Sequence, residues 1–395
     1  MRRTIAVMSL GASVLLVVAG LVRPAGAAVA PVGARGVAAT VDRAVVASTG
    51  TVASGVRIPA NGSFVTALGS VWRLVGGALV YVSSWAPYGG RHRTMPLTAA
   101  QYAAVGHTHI RDGQFIRTIQ DGAVYRVVDG TPLYVSSWAA VGGPHPTIGI
   151  DLTNLRHAGL PGPWGALKSF AGADVGFLDP DHLSTPSVSV AHFVRSSTDG
   201  RVYVLTNGAP LYVTSWAPFG GPHPTVLIDG ADIAHGGQVG RWRFLRWYPE
   251  DGLDMLDAVS KPGGAVSMFA VAGGAPIYVP YLNNFPEAPL DYNAVDPVAI
   301  ARAGSGGPFN HLRARPADGT FLYAYHDANV QMLDFPHALY WVSGGAAIPV
   351  TNEKACPTVL PGEAQIDRVA VDNAATGGVW DHLAKPPVPA PTPPC

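Results

Sequence analysis

Three pairs of tryptophan and histidine stand at one spacing in three similar segments. The segments read WAPYGGRH, WAAVGGPH and WAPFGGPH, and the histidine follows the tryptophan by seven residues each time. The pairs are Trp85 with His92, Trp138 with His145, and Trp216 with His223. A tryptophan offers a flat apolar surface for a sugar ring, and a histidine adds a hydrogen-bond partner. Packing of the tryptophans against a strand edge is the favoured interpretation, and carbohydrate binding is the candidate function that the spacing suits.

Motifs of enzymes are missing from the sequence. It contains no G-x-S-x-G elbow, H-E-x-x-H helix, phosphate-binding glycine loop or EF-hand spacing. The three histidines do not indicate a metal site, because Gly-Gly loops are poor rigid supports and no ligand stands at paired spacing. We therefore predict no catalytic residue, no metal and no cofactor.

Two polar fragments and one acidic insert are weaker candidates. Asp179-Pro180-Asp181-His182 and Tyr325-His326-Asp327 have no nucleophile at an informative spacing, so chance explains them. Loops that interrupt repeats often carry function, and one such loop is acidic. Its carboxylates predict a solvated loop, with a Ca²⁺ site or an acid/base pair as alternatives; they belong to Glu250, Asp251, Asp254 and Asp257.

An internal repeat positions these residues. VWRLVGGALVYVSSW (71–85) recurs as VYRVVDGTPLYVSSW (124–138) and VYVLTNGAPLYVTSW (202–216), with shorter copies at 269–279 and 340–350. An aromatic-apolar-arginine signal precedes it at 115–117, 193–195 and 244–246, with weaker copies at 64–66 and 311–313. Asp-Gly turns follow at 121–122, 199–200, 251–252 and 318–319, which is typical of hairpins. Each copy predicts a three-stranded meander covered on both faces, and 146–150 and 224–228 are candidates for a fourth strand.

Short helices separate the meanders. Thr98, Asp151, Asp229 and Asp296 each stand eight residues before a glycine, as N-cap and stop signals of a two-turn helix do. A further copy begins at Asp42. Arg117, Arg195, Arg246 and Arg313 precede a turn aspartate by four or five residues, which predicts cross-turn ion pairs of at most about 1 kcal/mol. A ring of arginines that binds an anionic ligand is the alternative, but it would leave the aspartates unexplained.

These units predict an all-β fold with short helices. Five repeated units of three or four strands indicate a five-bladed β-propeller, because stacked units bury faces that one unit cannot bury alone. An open repeat array, a sandwich and a barrel are the alternatives. The repeat string resembles one found in exported actinobacterial proteins, many of unassigned function, some with wall-hydrolase or other secreted domains. The resemblance covers roughly residues 60–350 and implies no catalytic residue.

The ends of the chain predict export. Arg2 and Arg3, the apolar run 5–22 and the small-x-small site 25–27 are typical of a signal peptide over 1–27, with an uncleaved anchor as the alternative. A low-complexity segment (28–55), the repeat domain (56–352) and a proline-rich tail (353–395) follow. Cys356 and Cys395 predict a disulfide in that tail, with intermolecular pairing as the alternative.

The composition limits the classes of partner that we expect. The net charge is zero and charged residues are 13%, so we expect no nucleic acid and no membrane insertion after signal cleavage. The sequence favours a secreted, non-catalytic binding protein of the cell envelope or extracellular space that recognises glycan or protein through its repeated loops. A hydrolase with scattered residues and a structural or adhesive repeat protein are the alternatives.

Overall fold

The computed structural model describes residues 56–106, 108–172, 187–188, 192–252, 255–259, 266–281, 291–325, 337–356 and 363–395. The predicted signal peptide, the helix predicted from Asp42 and the fragment 179–182 lie outside these residues. In the described part, no helix is long and apolar enough to cross a membrane.

The chain is mostly β-structure in five sheets. The first sheet contains β1 (Phe64–Ala67), β2 (Ser70–Val75), β3 (Ala78–Tyr81) and β4 (Met95–Pro96). The second contains β5 (Phe115–Thr118), β6 (Val124–Val128), β7 (Thr131–Tyr134) and β8 (Ile148–Ile150). After β9 (Ser187–Val188), the third contains β10 (His192–Ser196), β11 (Val202–Thr206), β12 (Ala209–Tyr212) and β13 (Val226–Ile228). The fourth contains β14 (Met255–Val259), β15 (Val266–Ala272), β16 (Ala275–Val279) and β17 (Asp291–Val295). The fifth contains β18 (Phe321–Tyr325), β19 (His337–Ser343), β20 (Ala346–Pro349) and β21 (Glu363–Asp367).

Every sheet has the same strand order, third–second–first–fourth. The first three strands form the predicted antiparallel meander, and the fourth lies beside the first in parallel orientation. A parallel pair needs a long crossover connection. The segments 82–94, 135–147 and 213–225 are such crossovers in the first three sheets. In the fourth sheet, β9 adds a further parallel strand beside β17.

Both faces of the sheets are covered, as predicted. Neighbouring residues on a strand point to opposite faces, yet Phe115 and Ile116 are both buried, as are Phe193 and Val194. An aromatic cross-strand pair recurs between the second and third strands, with ring centroids 5.4–5.6 Å apart. The pairs are Trp72–Tyr81, Tyr125–Tyr134, Tyr203–Tyr212 and Phe269–Tyr278.

A short helix follows each fourth strand. The helices are α1 (Ala99–Val105), α2 (Leu152–Arg156), α3 (Gly230–His235), α4 (Pro297–Ala301) and α5 (Arg368–Asp372). The four predicted N-caps are confirmed, because each side chain accepts a hydrogen bond from the first turn. Asp367 caps α5, which sequence analysis did not predict. We call one sheet with its following helix a unit.

The start of the last two units differs from the prediction. Residues 244–246 and 311–313 are not first strands; they lie in the segment that follows a helix. Leu245 and Leu312 are buried in these segments. The N–H of the arginine after each leucine donates a hydrogen bond to the carbonyl of a hairpin glycine in the same unit. Asp251-Gly252 and Asp318-Gly319 correspondingly precede the first strand instead of following it.

The fifth unit extends into the segment that the sequence assigned to the tail. β21 pairs with β18, and Ala384 N–H donates to the carbonyl of Gly345 at 2.9 Å. Cys356 and Cys395 form a disulfide within the chain, so the predicted pairing is confirmed and the intermolecular alternative is wrong. The two cysteines pack against a cluster of buried residues that belongs to this unit alone: Phe321, Leu339 and Val350.

Consecutive units are joined by the helix caps. The capping aspartate also accepts a hydrogen bond from the end of the third strand of the preceding unit. The pairs are Asp151 with Ser83 Oγ, Asp229 with Ser136 N (2.8 Å), Asp296 with Thr214 N (2.6 Å), and Asp367 with Tyr281 N (3.2 Å).

Aromatic contacts repeat the same junction. A tyrosine on the third strand meets an aromatic ring that follows the helix of the next unit, with centroids 4.9–5.3 Å apart. The pairs are Tyr81–Trp164, Tyr134–Trp242, Tyr212–Phe309 and Tyr278–Trp380. Four junctions between five units therefore share one chemistry.

Candidate functional site

The crossovers of the first three units hold all six predicted ligand-binding residues. Each crossover turns through a short 3₁₀ helix at or just after the tryptophan: Ala86–Tyr88, Trp138–Val141 and Ala217–Phe219. A glycine with φ between 76° and 84° ends that turn, a conformation that favours glycine: Gly89, Gly142 and Gly220. We call these crossovers the Trp–His loops.

Each histidine lies flat on the phenylalanine that begins its sheet. The centroid distances and interplanar angles are 4.7 Å and 17° for His92 on Phe64, 4.3 Å and 5° for His145 on Phe115, and 5.0 Å and 17° for His223 on Phe193. Each Nε2 also lies 2.8–3.0 Å from the carbonyl oxygen four residues earlier. Since a carbonyl oxygen only accepts, Nε2 carries the hydrogen. The histidines thus fasten each loop to its own sheet through ring stacking and fix its turn through the carbonyl bond.

The tryptophans pack on the same phenylalanines. The Trp85, Trp138 and Trp216 rings lie 5.2, 5.7 and 5.0 Å from those of Phe64, Phe115 and Phe193, and all three are half-buried. The structure therefore brings each Trp–His pair together in its own cluster, on three different sheets. Packing against a strand, the role that sequence analysis favoured, accounts for the buried part of each ring.

Two arginines complete the first two clusters, and sequence analysis missed them. The Arg73 guanidinium lies 5.0 Å from the Phe64 centroid, and that of Arg126 lies 5.2 Å from the Phe115 centroid. Arg126 Nη1 also donates to the carbonyl of Leu227 on β13 at 2.6 Å, and Arg73 makes the matching bond to Gly149 on β8. The signal was present, because VWR and VYR place an arginine at the same point of two copies.

Solvent reaches the tips of the loops. His92 and His223 are exposed and His145 is half-exposed. The tip glycines have open space where a side chain would begin: Gly89, Gly90, Gly142, Gly143, Gly220 and Gly221. Each loop thus presents an imidazole and a bare backbone turn around a rigid aromatic base.

A second cluster joins the second and third units through charged groups. Asp129 Oδ1 lies 2.9 Å from Lys168 Nζ and 3.1 Å from His192 Nε2. His192 Nδ1 lies 3.6 Å from Asp112 Oδ2, and hydrogen bonding to Asp112 raises the pKa of His192 against the opposing effect of burial. The four groups pair with one another, so the arrangement is an ionic link. Their separation along the chain hid the cluster from sequence analysis.

The described acidic residues of the insert make contacts within the fold. Asp251 accepts a hydrogen bond from Gly274 N–H at 3.0 Å, and burial raises its pKa. Glu250 pairs with Arg246 at 2.8 Å. Asp254 and the side chain of Asp257, with which Asp251 would form the predicted Ca²⁺ site or acid/base pair, lie outside the described residues. Tyr325 ends β18, and His326 and Asp327 also lie outside them.

The predicted cross-turn pairs are wrong. Arg117 and Arg195 are exposed, and the turn aspartates pair elsewhere: Asp121 with Arg241 at 3.4 Å, and Asp199 with Arg201 at 2.9 Å. Arg241 comes from the segment after α3, so Asp121 links neighbouring units instead of spanning its own turn.

Over the ranges that the structure describes, no three side chains of His, Cys, Asp or Glu are grouped to hold a metal ion. Comparison with protein-family models, curated proteins and solved structures gives no significant match. Within the described residues, the Trp–His loops combine an exposed tip, an aromatic surface and threefold repetition.

Proposed function

We propose that the protein is an exported, non-catalytic binding protein whose three Trp–His loops recognise a glycan. The observation that supports this most is the recurrence of one exposed loop geometry on three consecutive units. A polymer with a repeating structure presents the same group many times. Weak binding at each loop then adds up, because the second and third contacts are intramolecular.

Export is the proposed context. The predicted signal peptide over 1–27 and the disulfide between Cys356 and Cys395 both suit an oxidising compartment outside the cytoplasm. A cell-wall glycan or another extracellular polymer is then within reach. A binding role also agrees with the ionic link between Asp112, Asp129, Lys168 and His192, where potential acid and base groups neutralise one another.

For the architecture we propose an open array in place of the closed five-bladed propeller. The junction residues differ at the two ends: Thr98 stands where the other helices have a capping aspartate, and Pro349 stands where the other third strands have tyrosine. The first unit has a hydrophobic cluster of its own that includes Val105 of α1, and the disulfide packs against a separate cluster of the fifth unit. Distinct end units are typical of open repeat proteins.

The test replaces the three loop histidines and leaves the tryptophans and phenylalanines of each cluster unmutated. The variant His92→Asn/His145→Asn/His223→Asn removes three rings and retains a polar group at each tip. We expect the mature wild-type protein to bind insoluble cell-wall glycan, and the triple variant to bind at least about tenfold more weakly. Each single variant should lose less than the triple variant.

His157 and His235 provide the matched control. They also stack on an aromatic ring, at 4.5 Å from Trp164 and 5.0 Å from Trp242, and bond a carbonyl four residues earlier, but they lie directly after α2 and at the end of α3. His157→Asn/His235→Asn should lose stability and retain binding. A wild-type protein that binds no glycan, or a folded triple variant that binds like wild type, would contradict the proposal.

A further inference from the structure

The zero net charge of the chain conceals a strong separation of charge. Between Asp42 and Asp112 there is no aspartate or glutamate, while the described part of that stretch holds five arginines. From Asp112 to the C-terminus, 25 acidic residues face 16 basic ones. The first unit is therefore cationic, and the remaining units together are anionic.

The cationic charge reaches the Trp–His loop of the first unit. Arg91 and Arg93 flank His92, and both are exposed. In the described chain, neither side chain has an ion pair or a side-chain hydrogen bond. Among the described residues, the carboxylate of Asp151 is bound at the end of this sheet, and Ser83, Gln120 and the N–H of Thr153 already occupy it.

The other two Trp–His loops lack this charge. Residues 142–146 and 220–224 both read Gly-Gly-Pro-His-Pro, so proline replaces each of the two arginines. The three loops have the same length, the same stacked histidine and the same carbonyl bond. The first loop therefore carries two exposed guanidinium groups that its relatives lack, while the stacked histidine and its carbonyl bond are shared by all three.

We propose that Arg91 and Arg93 make the first loop a site for the anionic substituents of a polyanionic glycan, which rests on the proposed glycan binding. A guanidinium presents a planar fork of donors that matches a carboxylate, sulfate or phosphate. Two such forks, two residues apart beside an exposed imidazole, suit anionic groups that recur along a polymer. The second and third loops then contact the uncharged parts of the same chain.

The experiment exchanges the first loop for its relatives. Arg91→Pro/Arg93→Pro gives residues 89–93 the Gly-Gly-Pro-His-Pro sequence that the second and third loops already accommodate. Wild type and variant are titrated with polygalacturonate, dextran sulfate and neutral dextran of matched length. We expect the variant to lose about five- to tenfold in affinity for both polyanions and to bind dextran like wild type. The wild-type advantage should shrink between about 50 and 300 mM NaCl, because salt screens exposed charges.

A second variant guards against a folding effect. Arg91→Gln/Arg93→Gln keeps long polar side chains and should lose polyanion affinity to a similar extent. The reciprocal variant Pro144→Arg/Pro146→Arg should gain it. Equal binding of polyanions and dextran by wild type, or unchanged polyanion binding by both first-loop variants, would overturn the inference while leaving glycan binding intact.

Three further outcomes would also refute the inference. Failure of wild type to bind any of the three polymers would overturn this inference, and failure to bind insoluble cell-wall glycan as well would refute the glycan proposal. Tighter binding to duplex DNA of matched charge would assign the arginines to nucleic acid and overturn the inference. Salt-sensitive self-association that Arg91→Pro/Arg93→Pro abolishes, without polyanion binding, would assign them to the anionic units of a second copy.

Discussion

Asp229 performs two tasks at one position: Oδ1 accepts from Ala231 N–H to begin α3, and Oδ2 accepts from Ser136 N–H of the preceding unit at 2.8 Å. The carboxylate therefore couples the start of a helix to the junction between two sheets. A charged acceptor of two or more backbone donors is worth more than a neutral one. The same double role recurs at Asp296, so the junction is a property of the repeat.

Asp229→Ala tests that double role. The substitution removes a helix cap and the acceptor at the junction, so we expect the free energy of unfolding to fall by about 2–4 kcal/mol in urea titrations. Thr98→Ala is the matched control, because Thr98 caps α1 without a bond to another unit among the described residues, and it should cost about 1 kcal/mol. Equal losses for the two variants would show that the junction bond is worth nothing.

Asp232 provides a prediction on pH. It is buried, its Oδ2 has no hydrogen-bond partner among the described residues, and burial, followed by the charge of the nearby Asp229, raises its pKa well above the usual value. The folded state then holds a proton that the unfolded state releases above about pH 4, so stability falls as pH rises from there towards the folded-state pKa. Asp232→Asn should remove that slope, of at most about 1.4 kcal/mol per pH unit.

Asn154 shows that asparagine fits this position. It stands at the same place in α2 and donates to the carbonyl of Tyr81 at 2.9 Å. We therefore expect Asp232→Asn to match wild type near pH 4 and to be more stable at pH 7, measured by urea unfolding at both values. Asn154→Asp should introduce the opposite change. Parallel pH profiles for wild type and Asp232→Asn would contradict the assignment.

His192 should show a pH dependence at a junction. Its pKa is raised, chiefly through Asp112, so its charged form stabilises the folded state fully below about pH 6.5 and the contribution is lost as pH rises through the folded-state pKa. His192→Asn should therefore cost more stability at pH 5.5 than at pH 8. Asp112→Asn should remove most of that difference. A cost independent of pH would refute the charged link.

Two hairpin glycines test whether the array ends at the fifth unit. Gly273 and Gly344 occupy the same turn position with φ of 54° and 60°, so alanine meets similar backbone strain of about 1–2 kcal/mol in both. A Cβ at Gly273 would lie 2.6 Å from the backbone nitrogen of Ala317, in the segment entering the next unit, whereas the space at Gly344 is open. Gly273→Ala should therefore lower the melting temperature clearly more than Gly344→Ala. Equal shifts would mean that the fifth hairpin is also covered.

Local chemistry made much of the fold predictable. Asp151 and Asp296 cap their helices as expected, because the signals of a helix start lie within a few residues of one another. The residues 244–246 and 311–313 misled the prediction for the converse reason. Phe244-Leu245-Arg246 has the residue types of a first strand, but its leucine and arginine serve the segment that follows α3.

Sequence analysis identified the residues of the candidate site but did not predict how they pack. Trp138 and His145 stand out by spacing alone, but nothing in the sequence showed that both rings lie on Phe115, more than twenty residues earlier. The sheet creates that contact, because the crossover returns over the strand on which the unit began. Arg126 was missed since its partners are a ring on its own sheet and a carbonyl on the next.

The sequence by itself determined the number of repeats, the three-stranded meanders, four helix caps and the pairing of Cys356 with Cys395, because each depends on residues that are close in the chain or few in kind. The tertiary structure decided the parallel fourth strand, the phase of the last two units and the junctions between units. Those features are set by which buried surfaces and unpaired backbone groups meet across the fold, and such meetings are non-local. Likewise, the arginines of the first loop can be found in the sequence, whereas their exposure and the stacked rings beneath them depend on contacts across the fold.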